Sequence, residues 1–192
     1  MFYCFFPSGA NVMGSKKLGM WLFVISDAIT FATLLVVYAY LRIAAPSWPR
    51  PFHFSPGIHF AALMTIVLLS SSLTMVTAIR AMQNGGRRAA ARWIFATIMC
   101  GAGFIALHAI EWSRLLNETW SEPLFGATFF TITGLHMLHV AVGVIYLTIV
   151  GAGVLRGKFS PEDVEVSGIY WHFVDVVWMF IFPLVYLTSV NG

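Results

Sequence analysis

Charge is scarce in this sequence: 10% of the 192 residues are Asp, Glu, Lys or Arg, where soluble domains carry about a quarter. The shortage excludes an ordinary water-soluble fold, because 59% of the residues are hydrophobic and the mean hydropathy is +0.82. A chain of this length folded in water would leave large apolar patches uncovered. Cysteine is nearly absent as well. Cys4 and Cys100 stand in unrelated settings, which excludes a disulfide framework and any cysteine-based metal spacing. Internal repeats and low-complexity tracts are missing, so nothing indicates a solenoid or a second domain.

In place of charge the sequence has apolar length. Runs at roughly 18–41, 59–79, 93–113, 126–150 and 169–189 each reach the length needed to cross the hydrocarbon layer. They are continuous, whereas a barrel strand would alternate over about ten residues. In lipid a continuous span must satisfy its own backbone hydrogen bonds, which makes it a helix. The expected fold is all-α, an integral membrane bundle of five transmembrane helices. Pro46, Pro49, Pro51 and Pro56 fill the first connection, Asn84-Gly85-Gly86 the second and Ser160-Pro161-Glu162-Asp163 the fourth. Residues 1–15 read as a short uncleaved leader and 16–192 as a single transmembrane domain. The apolar patch Phe2–Phe6 lacks a preceding positive residue and is too short for a signal core, and Met13 is an alternative start.

The net charge of +3 and pI near 9.1 do not indicate nucleic-acid binding, because the basic residues lie between apolar runs rather than along one stripe. They read as topology signals. Lys16, Lys17, Arg80, Arg87, Arg88, Arg92, Arg156 and Lys158 fall on one face of the membrane, against Arg42, Arg50 and Arg114 on the other. The positive-inside bias places the N-terminus in the cytoplasm and the C-terminus on the far, periplasmic side. Trp21, Trp48, Trp93, Trp112, Trp120 and Trp171 lie near span ends, as aromatic belts require, and Trp178 alone lies well inside.

An ionisable group at the bilayer centre costs about 2.5–3.5 kcal/mol even on insertion scales, so each one asks for a reason. Asp27 lies on the first helix, Glu111 on the third, His136 and His139 on the fourth, and His172 with Asp175 on the fifth. At 1.5 Å per residue, Asp27, His139 and Asp175 lie about 13, 16 and 9 Å from one face. These three are expected to face one another. Such a layer is either a proton relay or an interhelical hydrogen-bond cluster that locks the bundle. Glu111 has His108 and Arg114 three residues away on either side, which also fits a headgroup-level cluster. His136 and His139 share a helix face, but the other histidines lie at different depths, so no haem or metal site is expected. The small residues Gly126, Ala127, Gly134, Ala141, Gly143 and Gly151, and the hydroxyls Ser70, Ser71, Ser72 and Thr74, read as close helix packing.

Some segments are more specific. Gly126-Ala-Thr-Phe-Phe130 continues through Thr133-Gly134-Leu-His136-Met-Leu-His139-Val140, and Tyr170-Trp-His172-Phe-Val-Asp175-Val-Val-Trp178 follows. Together with Leu22-Phe-Val-Ile-Ser-Asp27 and Leu107-His-Ala-Ile-Glu111, they resemble subunit III of the haem–copper respiratory oxidases, in order and spacing over residues 16–189. Longer members of that family have seven helices. This chain resembles the bacterial five-helix form, which lacks the first two and the wall of the lipid cleft they build. The family often has Glu where Asp27 stands.

The resemblance implies a non-catalytic subunit in the bacterial inner membrane, without haem or copper of its own. It implies a place beside the catalytic subunit I and other oxidase subunits of a proton-translocating cytochrome c or quinol oxidase. Its implied roles are holding structural phospholipid, guarding the active site against inactivation and assisting proton uptake. Asp27 and Glu111 match the family's intramembrane acids, and His172 and Asp175 its last-helix motif. Three other readings compete: an accessory subunit of nitric oxide reductase from the same family, a small proton-coupled transporter, and a membrane cytochrome. The chain lacks the clear repeats and broken helices of a transporter.

Overall fold

In the computed structural model the described residues are 14–48, 52–53, 59–118 and 123–191. The leader up to Met13, with Cys4, lies outside them, as do Pro49, Pro51, Pro56 and Trp120. The chain forms α1 (Ser15–Ala44), α2 (His59–Gln83), α3 (Arg87–Glu118), α4 (Pro123–Leu155) and α5 (Pro161–Ile181). All five are long and apolar enough to cross a membrane, α5 together with the helical turns that carry it to Ser189. The helices overrun the apolar runs by a few residues at most ends. Arg87, Arg88 and Arg92, for example, belong to α3, whose backbone bonds continue past the end of the apolar run.

The turns follow from a few residues. α2 and α4 both stop at a left-handed glycine, Gly85 (φ 79°) and Gly157 (φ 70°). The next amide in each reaches back to close the helix end, Gly86 N to the Ala81 carbonyl and Lys158 N to that of Gly153, both at 2.9 Å. The fourth connection is shorter than the sequence suggested. Ser160 caps α5, and Pro161, Glu162 and Asp163 form its first turn. The Asp163 carboxylate accepts from the Ser160 amide at 2.8 Å and the Ser160 hydroxyl accepts from the Asp163 amide at 3.4 Å.

α5 is the centre of the bundle. Half of its apolar window is buried, against 17% for α1. It packs on α2, α4 and α1, while α3 bridges α2 and α4. α1 turns Leu22, Ile29, Val36 and Ile43 outward, as a helix does whose solvent is lipid. Two tryptophans fit notches that only glycine leaves. A Cβ on Gly101 would stand 2.5 Å from the Trp171 ring, and one on Gly134 would stand 2.9 Å from Trp112. The small residues of α3 and α4 are therefore sockets for indoles as well as helix contacts.

At the end opposite Lys16 the bundle is tied together. Pro183 has no amide to donate and crowds the preceding turn, and Phe182–Tyr186 widens into a π turn there. A 3₁₀ turn, Leu187–Ser189, follows. The all-helical pattern then acquires one small addition. β1 (Phe52–His53) pairs in parallel with β2 (Val190–Asn191), a two-residue ladder. Arg42 donates to the Thr188 carbonyl, and the Tyr38 and Ser189 hydroxyls share a hydrogen bond at 3.1 Å.

Candidate functional site: paired polar groups inside the bundle

Asp27 and His139 meet as depth predicts. Nε2 of His139 lies 3.1 Å from Oδ2 of Asp27, and both side chains are 16% exposed. Nδ1 of His139 lies 2.7 Å from the Leu135 carbonyl, one turn back on α4. A carbonyl only accepts, so Nδ1 carries a proton. Nε2 is therefore the atom that faces Asp27, across the contact between α1 and α4. Phe31 covers the ring edge-on at 5.2 Å, and the His139 carbonyl accepts from the Tyr170 hydroxyl at 3.0 Å, joining α5 to the same corner.

Asp175 does not join that pair. Among the described residues no hydrogen bond or ion pair links it to Asp27 or His139, and it turns toward α2. Ser72 donates to Oδ2 of Asp175, and Nδ1 of His172 is 2.9 Å from the same hydroxyl. A serine has one proton, and Asp175 takes it, so the imidazole is the donor to Ser72. With the carboxylate as acceptor, the donors run from His172 to Ser72 to Asp175. The expected single layer is thus two pairs, because α5 presents Asp175 and His172, three residues apart, on the face that meets α2.

Two more rungs hold the same helix pair. Trp171 donates to the Ser71 hydroxyl at 2.8 Å and Trp178 to the Thr65 hydroxyl at 3.0 Å. The partners descend on one helix as they rise on the other, which is an antiparallel register. Both of these indole N–H groups find their acceptors on α2.

Glu111 is 6% exposed and accepts from the Tyr186 hydroxyl at 2.6 Å. Nδ1 of His108 lies 3.7 Å from the same carboxylate. Arg114 rests its guanidinium 5.7 Å from the centre of the Phe60 ring. Glu111 thus keeps His108 beside it, as the spacing suggested, and adds a buried contact between α3 and the π turn.

His136 and His108 are fully buried and lie at aromatic distance from Trp178, 5.2 Å and 5.7 Å between ring centres. His136 is stacked on the indole, and Phe104 stacks on His108. Among the described residues neither imidazole has a hydrogen-bond partner. Their place in the bundle is aromatic packing. Among the described residues no three His, Cys, Asp or Glu side chains converge as a metal site.

Sequence reasoning missed Ser72, Tyr186 and the Leu135 carbonyl. Ser72 stood in a visible run of hydroxyls, but its facing partner depends on the rotation of α2. Tyr186 was signalled only by Pro183, whose effect on the last turn redirects the ring.

The fold and these contacts define a multi-pass helical membrane protein that carries acids and histidines inside its bundle. Within that class, the model of the family described as cytochrome c oxidase subunit III matches residues 8–190, and the chain belongs to this family. It is 35% identical over 190 residues to cytochrome c oxidase subunit 3 of Bacillus sp. strain PS3, covering 95% of this chain and 91% of the relative. The subunit 3 of the same name from Bacillus subtilis is 35% identical over 194 residues, with 97% and 93% covered. Cytochrome bo(3) ubiquinol oxidase subunit 3 of Pseudomonas putida is 34% identical over 178 residues, with 90% and 86% covered.

Proposed function

We propose that this chain is the accessory third subunit of an aerobic haem–copper terminal oxidase in the bacterial inner membrane, with its N-terminus in the cytoplasm. It docks beside subunit I, which holds the haem and copper and reduces oxygen, and the assembled complex translocates protons. The chain itself supplies no catalytic residue. It contributes stability, phospholipid binding and support for proton uptake. The observation that carries this reading is the family match over residues 8–190, with relatives named as third subunits of cytochrome c and quinol oxidases.

The interior geometry supports the same role. Asp27 meets His139, Asp175 meets Ser72 and through it His172, and Glu111 meets Tyr186, each across neighbouring helices. Matched pairs of this kind suit a rigid support that keeps its protons in place. In this reading Asp27 and His139, half-buried and in contact, are the residues placed to assist proton uptake, while Glu111, His136, His172 and Asp175 hold the bundle.

The test removes the chain from the purified oxidase and follows oxygen consumption over successive turnovers. The initial rate per haem is expected to be retained and then to decay faster than in the complete enzyme. An unchanged decay would overturn the supporting role.

A further inference from the structure

The acids at the basic end of the bundle are concentrated beside α1. Lys16 pairs with Asp163 at 2.6 Å and Lys17 with Glu165 at 2.8 Å, so the α1–α5 side neutralises itself. On the other side stand Arg80, Arg87, Arg88, Arg92, Arg156 and Lys158, and among the described residues none of them has an ion-pair partner. Two of these arginines line one groove. Arg88, Ala91, Arg92 and Phe95 form a stripe at helical spacing on α3, and Leu155 at the end of α4 closes the groove.

The groove is charged at its mouth and apolar along its length. Phe95 is 61% exposed and Leu155 65%, so its wall is uncovered apolar surface. From Arg88 to Phe95 the stripe runs about 10 Å along the helix axis, away from the charged end. Trp93, next to Arg92 and 42% exposed, marks the headgroup level. An anion at the mouth with an apolar tail along the wall satisfies both parts. Two guanidinium groups grip phosphate oxygens through their forked N–H donors.

We infer that this groove binds an anionic phosphoglycerolipid, its phosphate between Arg88 and Arg92 and one acyl chain along Ala91, Phe95 and Leu155. The inference deepens the proposed function, because it rests on reading the chain as a lipid-holding membrane subunit and assigns one lipid to one place. A free phosphate would use the arginines but leave the apolar wall bare. A lipid of no net charge would use the wall but gain less from the unpaired cations.

The experiment uses the oxidase complex purified in mild detergent, stripped of lipid and re-exposed to phosphatidylglycerol or phosphatidylcholine, with bound lipid read by native mass spectrometry. Haem, copper and partner chains are assayed first in the same wild-type preparation, so a failure of the oxidase reading shows itself before any lipid is added. With the complex intact, the wild type is expected to retain phosphatidylglycerol over phosphatidylcholine. R88Q/R92Q is expected to weaken phosphatidylglycerol about tenfold or more, with phosphatidylcholine unchanged. F95A should lower retention of both lipids, R88K/R92K should restore much of the preference, and R80Q, outside the groove, should leave it unchanged. Equal retention of the two lipids by the wild type, or an unaltered preference in R88Q/R92Q, would overturn the assignment. So would loss of partner chains from R88Q/R92Q with lipid retention intact, which would make the groove a subunit contact.

Discussion

His139 reaches Asp27 with one ring nitrogen, at 3.1 Å, while its other ring nitrogen is engaged at 2.7 Å by the Leu135 carbonyl of its own helix. The Leu135 carbonyl therefore holds a proton on Nδ1, and Nε2 is the atom left to meet Asp27 across the contact between α1 and α4. An asparagine at position 27 could still donate to Nε2, whereas an alanine could not. Asp27→Ala is expected to destabilise the bundle by about 1–3 kcal/mol and Asp27→Asn by less than about 1 kcal/mol. Thermal melting in mild detergent checks this, and equal losses for the two variants would mean that a polar contact to His139 does not stabilise the bundle.

Ser72 links a histidine and an acid that have no direct contact, since its hydroxyl receives from His172 and donates to Asp175. Ser72→Ala leaves a carboxyl that is 4% exposed without its donor, which costs about 1–3 kcal/mol. Ser72→Thr keeps the hydroxyl and should recover most of that loss. The measurement is the melting temperature of the two variants side by side.

Gly101 and Gly103 lie on the same helix with opposite surroundings. A Cβ at Gly101 would meet Trp171 at 2.5 Å and Val144 at 2.8 Å, while at Gly103 nothing stands within 4 Å. Gly101→Ala is expected to destabilise by about 1–3 kcal/mol through overpacking and to change the near-ultraviolet circular dichroism of Trp171. Gly103→Ala should be neutral or stabilising by up to about 1 kcal/mol, from helix propensity alone.

Tyr186 and Glu111 are 75 residues apart in sequence and 2.6 Å apart in space. A double-mutant cycle with Tyr186→Phe and Glu111→Gln should return a coupling of about 1–2 kcal/mol. Additive losses would mean that the two side chains act independently. Pro183→Ala removes the reason for the π turn at Phe182–Tyr186, and it is expected to reduce that coupling by letting the last turn relax toward α-helix.

The helices and their order were legible in the sequence because a lipid-facing helix needs an unbroken apolar run, and each run announces itself. Their ends were less legible. Arg87–Arg92 and Pro161–Asp163 are polar enough to resemble loops, yet their backbones are helical beyond the apolar runs. The Asp27–His139 contact was legible from depth alone, since two polar groups at similar height on neighbouring helices have little else to pair with. Asp175 was misplaced for a reason depth cannot supply: its direction is set by how far α5 is rotated about its axis. Indole anchors at Ser71 and Thr65 fix that rotation. Likewise Ser72 could be seen as a hydroxyl on α2, but only the antiparallel register of α2 and α5 brings it between His172 and Asp175. Tyr186 reaches Glu111 past a π turn, and helical spacing carried through an α-helix would aim it elsewhere.

The central claim, that this chain is a support for a haem- and copper-bearing oxidase, is tested most directly by affinity purification of the tagged chain from native membranes in mild detergent, followed by an optical spectrum and metal analysis. Haem and copper should accompany larger partner chains and be absent once this chain is separated from them. A colourless chain that purifies alone, or haem that stays with this polypeptide after separation, would contradict it.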